Sequence, residues 1–170
     1  MIAQPRSIHW IDSPNGERFA IAPRPRGGDW LDDEILAWKR DGVDAVVSLL
    51  EPDETLELEL SGEAESCRAA GIAFLSYPIA DRGVPHSVEA TLELTNKIRS
   101  TLASGKGVLI HCRIGIGRAS MLAAILLVRS GLDVDEAFVR IALARGVAVP
   151  DTDEQREWVK QFVAARRAQR

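Results

Sequence analysis

Short apolar runs along the chain alternate with longer stretches in which apolar positions recur every three or four residues, the signatures of buried strands and of helices with one covered face. Residues 7–12 and 18–22 read as short strands around a Ser13-Pro14-Asn15-Gly16 turn, followed by the loop Pro23-Arg24-Pro25-Arg26-Gly27-Gly28. A helix from about residue 30 to 40 stops at Asp41-Gly42, and 44–50 is the next strand. Another helix over 61–70 stops at Gly71 and leads into a strand over 72–77. Helix 87–103, strand 108–110 and three helices near 118–130, 133–144 and 151–167 complete the order. Strands alternating with helices predict an α/β fold, with a central, mostly parallel sheet of about four to five strands flanked by helices. No repeat, low-complexity tract or long linker divides the chain, so residues 1–170 read as one domain.

In such sheets ligands bind outside the carboxyl ends of parallel strands. One of those ends carries His111-Cys112-Arg113-Ile114-Gly115-Ile116-Gly117-Arg118-Ala119-Ser120, between the apolar strand and the apolar helix beginning near 118. Gly115 and Gly117 permit main-chain angles that larger residues resist, so consecutive N–H groups can converge on one tetrahedral anion, helped by the helix dipole. Arg118 in the first helical turn can offer two parallel N–H donors to phosphate oxygens. A thiol at Cys112 sits in the same positive field and should ionise readily. The spacing C-x5-R alone arises by chance in about one such chain in five; the preceding His and the third-position Gly bring that below about one in a thousand. Cys112 could also be a small buried hydrophobe after a strand, the usual fate of a free cysteine.

The string resembles the signature loop of the cysteine-dependent protein tyrosine and dual-specificity phosphatases, HC-x-x-G-x-x-R followed by Ser or Thr. The resemblance implies a dual-specificity-phosphatase-like fold, Cys112 as nucleophile and Arg118 as phosphate clamp, with Arg113, Ile114, Gly115, Ile116 and Gly117 lining the bound phosphate and His111 supporting the loop. It also implies a movable general acid. Asp81, in Tyr77-Pro78-Ile79-Ala80-Asp81-Arg82-Gly83-Val84-Pro85, resembles the family's P-I-x-D loop; alone, it would read as a turn aspartate. The segment from Val149 to Val159 looks like the family's glutamine loop, with Gln155 at the second glutamine and Asp151 where the first would be. Gln155 could equally be a surface residue behind a helix capped by Asp151 or Thr152. Ala119 stands where the family has the hydroxyl that hydrogen-bonds the cysteine sulfur. Ser120 points elsewhere on a helix, so slower breakdown of the phosphoenzyme is expected.

At 170 residues and 46% apolar content, the chain can bury one sizeable core. A net charge of −4 offers no general attraction to nucleic acid or an anionic membrane. Two cysteines, Cys67 and Cys112, make no disulfide framework and no metal-ligand spacing, which suits a reducing cytoplasm and needs no metal or cofactor. The amino-terminal residues lack the pattern of a signal peptide, and no stretch is long enough for a membrane span.

Around the expected crevice, Glu51 could pair with a loop arginine or sit at a strand end on the surface, and Arg24 and Arg26 could meet an anionic substrate or be solvated. Trp30, Trp38 and Trp158 read as packing residues. The His111 ring should point away from the phosphate, toward the interior or a backbone carbonyl. The expected substrate is a phosphorylated protein or peptide, phosphotyrosine first. A phosphoinositide, inositol phosphate or other small phosphate ester stands second, since Arg113 is the loop's only extra cation. Two other readings remain, a phosphate-binding pseudophosphatase and, further off, a rhodanese-like sulfurtransferase.

Overall fold

The computed structural model describes residues 7–169. The amino-terminal stretch read against a signal peptide begins outside the described residues. A five-stranded sheet runs in the order β1 (His9–Trp10), β2 (Phe19–Pro23), β5 (Val108–Cys112), β3 (Ala45–Ser48) and β4 (Ala73–Ser76). Only the β1–β2 pair is antiparallel. Among the described residues seven α-helices accompany it: α1 (Leu31–Arg40), α2 (Pro52–Glu57), α3 (Glu63–Ala69), α4 (Val88–Ala103), α5 (Arg118–Arg129), α6 (Val134–Arg145) and α7 (Asp153–Ala168). No helix among the described residues is long and apolar enough to cross a membrane.

The sheet separates two apolar layers, and strand alternation assigns each residue to one of them. Phe19, Ile21, Val47, Val108, Ile110 and Cys112 face the larger layer, built with α4, α5, α6 and α7. Ala20, Ala22, Val46 and Leu109 face the smaller one, with Leu31, Ile35 and Trp38 of α1 and Cys67 of α3. β5 is buried along its whole length, as the apolar run Val108-Leu109-Ile110 suits a central parallel strand. α5 is apolar on all sides for the same reason, being packed against β5, α6 and α7.

Helix ends follow local chemistry. Ser87 and Asp133 cap α4 and α6 by accepting from the N–H groups of Ala90 and Glu136, and α6 stops at Gly146, whose φ of 82° is the left-handed conformation glycine tolerates. One element escaped the periodicity argument. α2 is a six-residue helix opened by Pro52 and closed into a capping box, in which the Glu51 side chain accepts from the Glu54 N–H while Glu54 accepts from the Glu51 N–H. It carries no apolar stripe, so nothing in its hydrophobic pattern announces it.

Because β2, β3, β4 and β5 are parallel, their carboxyl ends lie along one edge. Pro23 is level with Cys112, and Ser48 with both His111 and Ser76. The chain leaving β3 enters α2, the chain leaving β4 enters the Asp81 loop, and the chain leaving β5 enters the cysteine loop.

Candidate active site

The strand predicted to end at Ile110 continues through His111 and Cys112, so alternation sends their side chains to opposite faces. His111 turns to the smaller layer, fully buried, beside the Trp38 ring with centroids 5.9 Å apart. Its Nε2 lies 2.6 Å from Glu63 Oε1, and its Nδ1 3.3 Å from the Cys112 carbonyl oxygen. His111 therefore lies behind the loop, tying the main chain at Cys112 to a buried carboxylate, and not among the groups that face an anion.

Cys112 turns the other way and is buried at the start of the loop. Gly115 then takes φ 73°, and a side chain there would run into the backbone of Ala22 and Pro23, within 2.8 Å. Glycine is needed at that position both for its angle and for the close approach of β2. The loop is also held from outside: the Arg24 N–H donates to the Arg113 carbonyl at 3.2 Å, and Arg145 at the end of α6 donates to the carbonyls of Gly115 and Ile114, each at 3.1 Å. With these carbonyls occupied facing outward, the loop's N–H groups are left to turn inward. Ile114 is about half exposed and Ile116 half-buried.

Arg118, the first residue of α5, is 2% exposed and has its guanidinium fixed on several sides. Its Nη1 donates to Glu54 Oε2 at 2.7 Å and to the Ile79 carbonyl at 2.9 Å; its Nη2 donates to Glu54 Oε1 at 2.9 Å and to Asp81 Oδ1 at 3.1 Å. The pair with Glu54 is the bidentate fork–fork geometry. Burial works against the charge of Arg118, but Glu54, Cys112 and Asp81 outweigh it and hold the guanidinium above its ordinary pKa. Burial likewise pushes Glu54 upward, and the Arg118 hydrogen bond and the Glu51 N–H outweigh it, leaving the carboxylate below its ordinary pKa.

Glu54 is the functional residue that sequence reasoning missed. The candidate partner for a loop arginine was Glu51, which instead caps α2, while Glu54 one turn later reaches Arg118. The available signal was the Glu51-Pro52-x-Glu54 start of a capped helix directly after a strand end. Arg113 also departs from expectation. Its Nη2 donates to Glu57 at 3.1 Å and its Nε to Glu54 at 3.4 Å, so its charge is turned to α2 and not into the loop.

Asp81 lies on the loop after β4, its side chain about half exposed, and its contact with Arg118 brings it to the cysteine loop. Gln155 is fully buried, which overturns the surface reading. It forms a capping box with Thr152, which settles Thr152 and not Asp151 as the cap of α7. Its Oε1 accepts from the Asp151 and Thr152 N–H groups, and its Nε2 donates to the Gly83 carbonyl at 3.0 Å in the Asp81 loop. A side chain at Gly117 would strike Asp151 and Gln155. One buried amide thus locks α7, the Asp81 loop and the cysteine loop together. Ser120 is fully buried and its hydroxyl makes no hydrogen bond, so it does not replace the missing hydroxyl at Ala119. Arg26 pairs with Glu34 and lies over Trp30, and Arg24 donates to the Pro25 carbonyl.

Residues 22–132, well over half the chain, match the family model described as a DSP-PTPase phosphatase of polymorphic toxin systems. Cyclin-dependent kinase inhibitor 3 of Homo sapiens is 29% identical over 94 residues, a match spanning 54% of this chain but only 44% of that relative's length. Among solved structures, Tk-PTP in its active form is 33% identical, covers 95% of this chain and 97% of its own, and superposes with a TM-score of 0.75. Kinase associated phosphatase, with serine substituted for its catalytic-site cysteine, shares the fold at a TM-score of 0.87 and 19% identity, over 94% of this chain and 95% of that one. The family match across both the Asp81 and Cys112 loops, with identity of this order over nearly the whole chain, places the protein in the dual-specificity and protein tyrosine phosphatase family.

Proposed function

We propose that the protein hydrolyses phosphomonoesters in two metal-independent steps through a phosphocysteine intermediate. In the first, the Cys112 sulfur bonds to phosphorus while the ester P–O bond breaks, and Asp81 gives its proton to the departing oxygen. Arg118 and the inward N–H groups of residues 113–118 bear the charge on the other phosphate oxygens. In the second, water bonds to phosphorus and loses a proton to the now ionised Asp81, and the S–P bond breaks to return the thiolate.

The observation that carries this reading is the placement of Cys112, Arg118 and Asp81 around one loop, with Asp81 held by the same guanidinium that would hold phosphate. Counting donors makes the coupling concrete. Glu54 and Ile79 occupy three of the four terminal guanidinium hydrogens, and Asp81 occupies the fourth. A phosphate that takes two parallel donors must use Nε and Nη2, so its arrival frees Asp81 from Arg118 and leaves it next to the leaving oxygen.

The preferred substrate is a phosphorylated protein, phosphotyrosine first. Arg113, the only extra cation in the loop, is neutralised by Glu54 and Glu57, which weakens the case for polyphosphorylated inositols. Turnover of p-nitrophenyl phosphate in EDTA tests the mechanism. The wild type is expected to remain active and Cys112→Ser to lose activity; full activity in Cys112→Ser, or none in any metal-free preparation, overturns it. Comparing a phosphotyrosine peptide with inositol phosphates tests the substrate class.

A further inference from the structure

At the far end of α5 lies a cavity of about 300 Å³ that plays no part in the chemistry above. It is lined by Ile125, Val128 and Arg129 of α5, Gly131 beyond it, Phe162, Val163, Arg166 and Arg167 of α7, and Arg99 of α4. Its α5 wall begins at Ile125, seven residues beyond Arg118 and about 10 Å along the helix axis from the end of the cysteine loop. Its lining residues are of two kinds, the apolar Ile125, Val128, Phe162 and Val163 and four arginines, with no Asp or Glu among them.

Arginines near helix carboxyl termini are ordinarily explained by the helix dipole, to which Arg129, Arg166 and Arg167 are well placed. Magnitude argues against that as the whole account. Two helix ends supply about one negative charge in total, against the three arginines Arg99, Arg166 and Arg167. Among the described residues no carboxylate lies within ion-pair distance of Arg99, Arg166 or Arg167, while Arg129 is steadied by Asn96 and Thr95. In a chain of net charge −4, this is a local concentration of positive charge beside apolar surface. Its volume falls at the small end of ligand sites.

We infer that this cavity between α4, α5 and α7 is a second binding site, for a small anion carrying an apolar body, such as an aryl or short acyl carboxylate, phosphate or sulfonate. The anionic group meets Arg99, Arg129, Arg166 and Arg167, and the apolar body rests on Ile125, Val128, Phe162 and Val163. The site stands apart from the cysteine loop and does not depend on the reaction proposed there.

The test uses two fluorescent probes of similar body, 8-anilino-1-naphthalenesulfonate, which carries the anion, and N-phenyl-1-naphthylamine, which does not. The full-length protein is expected to bind the sulfonate at one site at least tenfold more tightly than the neutral amine. Arg99→Gln combined with Arg166→Gln is expected to weaken sulfonate binding at least tenfold and leave amine binding, thermal midpoint and p-nitrophenyl phosphate turnover as they were. The exposed single variant Arg99→Gln gives a smaller change in the same direction should the double variant fold poorly. Saturating orthovanadate is expected to leave sulfonate binding intact. Equal affinity for the two probes, sulfonate binding unchanged by the arginine substitutions, or displacement by orthovanadate overturns the inference.

Discussion

Cys67 and Cys112 are both buried, free and packed against one face of the same sheet or the other, yet their surroundings are opposites. Cys67 sits within α3, among the side chains of the smaller layer, one helical turn after Glu63. Burial, with the Glu63 carboxylate adding to it, pushes its thiol up to about 12. Cys112 ends a strand, opens a loop whose carbonyls are tied outward, and interacts with a guanidinium that Glu54 fixes in place. Depth alone therefore does not decide what a cysteine does; the sign of the charge and the direction of the amides around the sulfur do.

The largest expected effect breaks that comparison directly. Cys112→Ser should lower phosphatase turnover by at least about 10⁴-fold, because a hydroxyl in that position is neither ionised nor a comparable nucleophile. Cys67→Ser should leave turnover within about threefold, its cost appearing as lost stability from a hydroxyl in an apolar site. Iodoacetate at neutral pH, followed by peptide mass spectrometry, should label Cys112 and spare Cys67. Equal labelling would remove the distinction between the two sites.

A smaller effect separates the nucleophile from the acid. Asp81→Asn should reduce turnover by about 10² to 10⁴ with a good phenolic or alkyl phosphate, the usual contribution of general acid–base catalysis. Turnover of an alkyl phosphate by Asp81→Asn at the wild-type rate would contradict the assignment of roles.

Glu54→Gln sharpens the contrast between the two regions by removing the carboxylate that orients Arg118. Breaking a buried pair leaves an uncompensated charge, so the variant should lose about 3 kcal/mol in urea unfolding as well as affinity for phosphate. The pH dependence has a definite sign. Because the folded state holds Glu54 below its ordinary pKa, the stabilisation is complete above the unfolded-state value and is lost as pH falls through the lower, folded value. The difference in stability between wild type and variant should therefore shrink in acid and be constant near neutrality.

The contrast between Glu51 and Glu54 also shows what could be read from the chain. The five strands and six of the seven helices described follow from short apolar runs and from helical spacing of apolar positions, and the cysteine loop from a dense local string. Glu54 belongs to a short helix with no apolar stripe, and its role depends on Arg118, 64 positions away, so the local capping signal announces the helix but not this partner. Gln155 was visible as a residue but not as a contact. Its burial arises only where α7, the Asp81 loop and Gly117 converge. Arg113 was misplaced for the same reason, since Glu57 reaches it from α2.

The smallest expected effect concerns Ala119, buried directly after Arg118 where the family carries a hydroxyl. A hydroxyl that hydrogen-bonds the departing sulfur stabilises it by about 1 kcal/mol or more, which corresponds to about fivefold in the breakdown of the phosphoenzyme. Ser120 does not supply that bond, its hydroxyl lying buried without a partner. Wild-type protein should thus show a burst of p-nitrophenol before a slower steady state, and Ala119→Ser should raise the steady rate about fivefold while shrinking the burst. If wild type shows no burst and Ala119→Ser changes nothing, breakdown is already faster than formation. Cleavage of the ester bond would then set the rate, and the Asp81 substitution, not the hydroxyl, would be the sensitive probe of turnover.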